Sequence, residues 1–167
     1  VIFANSASTY TDNFTVTQTG TGLADIVRFN GSTSFAGSST LTVTTNTDIE
    51  FTSGAVVQSV NGNISMTANS AGTATGTFVG LSMNTATLKT TGTGNISLTA
   101  KGGATYTAGS SNNGLWVIDS LIETVSGSIT INGTGGNTNT APDDMTCAGM
   151  EFVRSTVKST SAGNITL

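Results

Sequence analysis

Few side chains in this sequence are equipped for chemistry, and those few are scattered. Asp143 and Asp144, with Asn137 and Asn139 close by, could supply oxygen ligands to calcium or a carboxylate pair for glycoside cleavage. Adjacent carboxylates on an extended loop point apart, however, and no calcium-binding nonapeptide repeat is present, so a solvated acidic loop turning at Pro142 is the plainer expectation. Trp116 stands between the apolar Leu115 and Val117. Strand alternation turns its indole outward, to stack on a sugar ring or to lie beneath an adjoining loop. Trp116, Asp143 and Asp144 are the candidate ligand contacts.

The triplets Asn63-Ile64-Ser65, Asn95-Ile96-Ser97 and Asn164-Ile165-Thr166 match the N-glycosylation sequon. Their hydroxyl residues belong to strands, which argues against modification. Cys147 is the only cysteine, so an intrachain disulfide and a cysteine metal cluster are both ruled out. It is expected as a small buried hydrophobe or as half of an intermolecular disulfide. Histidine is absent, which removes the commonest general base and transition-metal ligand. No catalysis and no resident cofactor are expected, and calcium is the one ion the loop carboxylates would suit.

Composition narrows the surface. Charged residues are 8% of the chain against about a quarter in an average soluble protein, and Thr, Ser, Asn and Gly fill the difference. The surface must therefore be mostly hydroxyl and amide. A net charge of −4, with no basic cluster, disfavours nucleic acid as a partner. No apolar run reaches the roughly 20 residues that span a bilayer, and no signal-like segment opens the chain, so Val1 reads as a mature or excised start.

The elements that must position these residues emerge from an internal repeat of roughly 33 residues. The segment from Thr87 to Leu98 recurs as Leu121–Ile131 and Thr156–Leu167, with an earlier copy at Val56–Met66. Its anchors Ile64, Ile96, Ile129 and Ile165 lie 32, 33 and 36 residues apart. A second anchor, Gly-Leu/Met at Leu81, Leu115 and Met150, leads in each case seven residues later to Leu88, Ile122 and Val157. Within each piece apolar and polar residues alternate, the period of a half-buried strand, and no helical periodicity is sustained. Strands this short bury one face only by stacking on their counterparts, so the expected fold is an all-β, right-handed parallel β-helix with coils of about 32–36 residues including a surface loop. The loops Thr99–Asn113 and Asn132–Ala148 read as excursions where binding would reside. Residues 56–167 form the regular repeats, and residues 1–55 keep the alternation without the clean step, as divergent coils or a cap.

Superposing the repeats stacks equivalent residues. Ile64, Ile96, Ile129 and Ile165 form one buried column, and Leu88, Ile122 and Val157 another. Outside the latter stand Lys89, Glu123 and Lys158, a plus, minus, plus row, and Asp119 should pair with Arg154. Asn63, Asn95 and Asn164, with Ser128 substituting, form a corner row suited to left-handed dihedrals and to hydrogen bonding up the stack.

The units Gly-Asn-Ile-Ser-Leu, Gly-Ser-Ile-Thr-Ile and Gly-Asn-Ile-Thr-Leu, with Gly-Leu/Met opening the earlier strand, resemble repeats of giant bacterial surface proteins of the filamentous-haemagglutinin and autotransporter-adhesin kind. The resemblance covers about Val56 to Leu167. It implies the parallel β-helix, secretion to the cell surface, and a role in adhesion, biofilm or filament formation, with no catalytic residue carried over. These coils are longer than the ~20 residues familiar in that group. The expectation is an extracellular structural or adhesive solenoid, a stalk segment or a filament subunit whose partner is another copy, the continuation of a longer solenoid, or a surface glycan. Leu167 falls in mid-coil with no polar cap. The alternative is a carbohydrate-binding or polysaccharide-degrading β-helix.

Overall fold

A computed structural model describes residues 1–3, 7–105, 111–136 and 147–167. Short strands rich in Val, Ile, Leu and Thr follow one another in threes. The first coil carries β1 (Ile2–Phe3), β2 (Ser8–Tyr10) and β3 (Phe14–Gln18); the second, β4 (Val27–Phe29), β5 (Ser32–Phe35) and β6 (Leu41–Thr45). The third carries β7 (Ile49–Phe51), β8 (Val56–Ser59) and β9 (Ile64–Ala68); the fourth, β10 (Leu81–Asn84), β11 (Thr87–Thr90) and β12 (Ile96–Lys101). The fifth carries β13 (Leu115–Ile118), β14 (Leu121–Thr124) and β15 (Ile129–Thr134); the sixth, β16 (Met150–Val153), β17 (Thr156–Ser159) and β18 (Ile165–Thr166). Every third strand pairs in parallel, giving three six-stranded sheets: A (β1-β4-β7-β10-β13-β16), B (β2-β5-β8-β11-β14-β17) and C (β3-β6-β9-β12-β15-β18). The chain is a three-faced parallel β-solenoid.

Register follows the aligned repeats. Leu81 pairs with Leu115 and Leu115 with Met150; Leu88 pairs with Ile122 and Ile122 with Val157; Ile64, Ile96, Ile129 and Ile165 form a row. All of these side chains except Ile165 share one central core with Phe29, Phe35, Phe51, Leu41 and Met66; Ile165, expected in the buried column, is exposed because no coil covers it. At the first coils the filling is aromatic: Phe3 stacks on Phe29 at 4.5 Å between ring centroids and Phe29 on Phe51 at 4.9 Å, while Tyr10 stacks on Phe35 at 5.3 Å. Burial fades in the sixth coil, where Val157 is half-buried and Ile165 is 43% exposed.

The first 55 residues enter the same three sheets, with β1 to β6 and then β7. Their step is shorter: Arg28 and Glu50, neighbours in sheet A, are 22 residues apart, whereas Phe78 and the Asn112 that caps it one coil on are 34 apart. The added length lies at one corner, between sheets C and A, in segments 69–80, 102–114 and 135–149. These excursions are not merely draped over the surface. In their described parts Ala74, Asn112 and Asn113 are fully buried, and backbone bonds run from one excursion to the next, Gly103 N–H to Phe78 O at 3.0 Å and Gly136 N–H to Asn112 O at 2.7 Å. Buried asparagines complete the pairing. Asn112 accepts from the Phe78 N–H at 3.0 Å and donates to Thr105 O at 2.8 Å; Asn113 accepts from the Ala148 N–H at 2.9 Å. In these described parts the Gly and Asn residues, read from sequence as surface excursions, serve close backbone approach and side-chain satisfaction of buried amides.

Two corners carry ordered polar rows. At the B–C corner, the N–H of Asn95 donates to Asn63 Oδ1 (2.9 Å), that of Ser128 to Asn95 Oδ1 (2.7 Å) and that of Asn164 to Ser128 Oγ (3.3 Å). These residues do not adopt left-handed dihedrals. Among the described residues, such angles away from glycine occur at Asn69, Thr85, Asp119 and Arg154. The last three, with Gly54 one coil earlier, form the A–B corner. There the N–H of Ala86 donates to Ser120 Oγ at 3.0 Å and that of Ser120 to Ser155 Oγ at 3.2 Å.

Candidate binding groove

Outward-facing residues of sheet A form a row from coil to coil: Ile2, Arg28, Glu50, Ser82, Trp116 and Glu151. Consecutive members lie about 4.8 Å apart because the strands do. Arg28 Nε donates to Glu50 Oε2 at 2.6 Å, fixing both side chains across the face. Glu151 is held at the other end by Asn113 Nδ2, at 2.7 Å.

Two segments wall this row into a groove of about 540 Å³. Leu23, Ala24 and Ile26 rise on one side, and Phe78 and Val79 belong to the first excursion. The 19–26 segment is tied down by bonds to coil 2: Asn46 Nδ2 donates to Thr19 O at 2.8 Å, and the Thr47 hydroxyl donates to Asp25 O. Leu23 lies against Gly76, where a methyl group would sit 2.5 Å from its Cδ2, so a glycine there lets the two walls meet.

Asp48 opens into the same groove beside Glu50. Burial pushes its carboxyl up to about 6, and the Glu50 charge adds to the rise; hydrogen bonds from its own backbone and Thr47, and the Arg28 guanidinium, act the other way. An acid whose folded pKa exceeds its unfolded value of 3.8 costs the fold nothing below about pH 4 and its full penalty above about pH 6. The shift is worth roughly 3 kcal/mol at face value. Discounted for partial solvent screening, about 1–2 kcal/mol remains. Asp48→Asn is therefore expected to stabilise the protein by about 1–2 kcal/mol at pH 8 and to leave it unchanged at pH 3, measured by urea denaturation at both values. Equal effects at the two pH values would remove burial of the charge as the cause.

No family model, curated protein or solved structure matches the chain.

The other candidate residues lie elsewhere. Trp116 is in the groove, whereas Asp143 and Asp144, with Asn137 and Asn139, lie outside the described residues. Lys89, Glu123 and Lys158 share the outer face of sheet B in the expected register. Lys158 Nζ reaches Glu123 Oε1 at 3.2 Å; the three ion pairs of the described residues do not include Lys89. Arg154 grips Asp119 with two bonds of 2.7 Å at the A–B corner and holds its carboxyl below the ordinary value. Cys147 is a half-buried free thiol. Among the described residues no group of three or more His, Cys, Asp or Glu side chains is gathered to hold a metal.

Arg28, Asp48 and Glu50 were not picked out by sequence. The signal for Arg28 and Glu50 was the pair Val27-Arg28-Phe29 and Ile49-Glu50-Phe51, which superpose residue for residue when coil 2 is laid on coil 3.

Proposed function

We propose that this chain is an extracellular structural or adhesive module, a rigid stalk or filament segment in which the coil stack continues past β16–β18, through the same polypeptide or a second copy. The observation that carries this is the unbroken inward apolar row. On sheets A and C it runs through all six coils, and it reaches an open face on the sixth, where Met150, Phe152 and Val157 are only half-buried although their counterparts Leu115, Val117 and Ile122 are fully buried. An uncovered parallel edge offers both apolar surface and unpaired N–H and C=O groups to an added strand row. The reading is also supported by a surface of hydroxyls and amides with few charges, which suits an inert rod and needs no catalytic group.

Concentrated protein is expected to form filaments in negative-stain electron microscopy, with fibre diffraction showing a spacing along the axis of about 4.8 Å. Replacing Phe152 and Val157 together by Lys should keep the protein monomeric. Monodisperse single particles at high concentration would refute assembly from separate copies and leave continuation within one polypeptide.

A further inference from the structure

We propose that the outer groove of sheet A binds a neutral oligosaccharide chain, laid along the solenoid axis with a ring face on Trp116 and hydroxyl groups on Glu50, Arg28 and Asp48. The inference is independent of whether coils continue into a filament.

Length comes first. From Arg28 to Trp116 the row crosses three inter-strand steps, about 14 Å, enough for about two or three linked sugar rings. Ser82, the small residue between Glu50 and Trp116, leaves the floor open. The groove is a concavity already formed, and its polar groups are held before any ligand arrives: Glu50 by Arg28, and the flanking segment by its bonds to coil 2. Such preorganisation reduces the entropy lost on binding.

The functional groups suit polyols. A carboxylate accepts from vicinal hydroxyls, a guanidinium donates to ring and hydroxyl oxygens, and a half-buried indole offers an apolar face to sugar C–H bonds. The apolar walls at Leu23 and Val79 fit the less polar edges of the rings.

Charge selects the class. Asp48, Glu50 and Glu151 face or flank the groove against one cation, Arg28, which Glu50 already engages. Uronic or sulfated chains would meet uncompensated negative charge, whereas neutral chains would not.

Trp116 is the only tryptophan, so intrinsic tryptophan fluorescence reports on this groove alone. The protein should be titrated with cellohexaose, mannohexaose, xylohexaose and chitohexaose, and with hexagalacturonate as the acidic counterpart. The expected result is a saturable emission change with at least one neutral hexasaccharide and none with hexagalacturonate. Calorimetry with that sugar should show at least a tenfold loss of affinity for Trp116→Ala and for Ser82→Gln, which fills the floor without touching a core position. The proposal is overturned if no neutral hexasaccharide saturates, if hexagalacturonate binds more tightly, or if both variants bind as the parent does.

Discussion

Gly127→Ala is expected to prevent folding, appearing as loss of the β signal in far-UV circular dichroism or as insoluble protein. Gly62, Gly94, Gly127 and Gly163 stand above one another just before the asparagine row. A methyl group on Gly127 would lie 1.8 Å from the carbonyl oxygen of Gly94, and one on Gly163 1.8 Å from that of Gly127. No flexible side chain is there to yield. Relief requires moving the backbone of a neighbouring coil, which would break the pairing of Ile96 with Ile129 that starts two residues later. A penalty above about 4 kcal/mol follows, at the far end of what single substitutions cost. Gly37 provides the contrast. It has a positive φ of 58°, but a methyl group placed on it would meet nothing within 4 Å, so Gly37→Ala should cost only the left-handed penalty of about 1–2 kcal/mol and leave a folded protein. If Gly127→Ala melts like the parent, the coils are not stacked as closely as described.

Phe29→Ala should lower stability by about 3–5 kcal/mol, the usual range for emptying a buried aromatic site. Phe29 is fully buried as the middle ring of the aromatic stack in coils 1–3, with Phe3 on one side at an interplanar angle of 15° and Phe51 on the other at 26°. Its removal takes a stacking partner from both rings and opens a void that main-chain pairing on two sides keeps from collapsing. Phe29→Leu, which preserves much of the volume, should cost about 1–2 kcal/mol. Because each coil contacts chiefly its neighbours, the loss should be local. Hydrogen exchange is expected to speed in coils 1–3 and to change little around β12 to β15. A uniform loss of protection along the whole stack would show stronger coupling between coils than nearest-neighbour packing provides.

The repeats from Val56 onward were legible because two things coincide in them: strand alternation, which sorts inside from outside, and a constant offset from Leu81, Leu115 and Met150 to Leu88, Ile122 and Val157. The first 55 residues hid their coils from a search at fixed spacing, since they lack the excursion that lengthens later steps. Alignment by the inward aromatics Phe29 and Phe51 recovers them. Register alone did not settle the charge row. Lys158 and Lys89 flank Glu123 equally in the stack, yet only Lys158 reaches it. The corner asparagines were recognisable as stacked hydrogen-bonding groups, but the left-handed turn fell at Thr85, Asp119 and Arg154, of which only Asp119 is of a type that favours it. The groove has no local signature in the sequence because it joins residues of five coils with the 19–26 segment.

The polar rows at the two corners have opposite senses. At the B–C corner a later coil donates its N–H to a side chain of the coil before it, as Asn95 does to Asn63; at the A–B corner the earlier coil donates to the later, as Ala86 does to Ser120. The upper and lower surfaces of any coil are therefore chemically different. A two-fold arrangement, placing like surface against like, would repeat neither row as the stack has it. A coil that repeated both rows would enter facing the same way as the coils already present. The proposed continuation of the stack, if it repeats both rows, is head-to-tail and open.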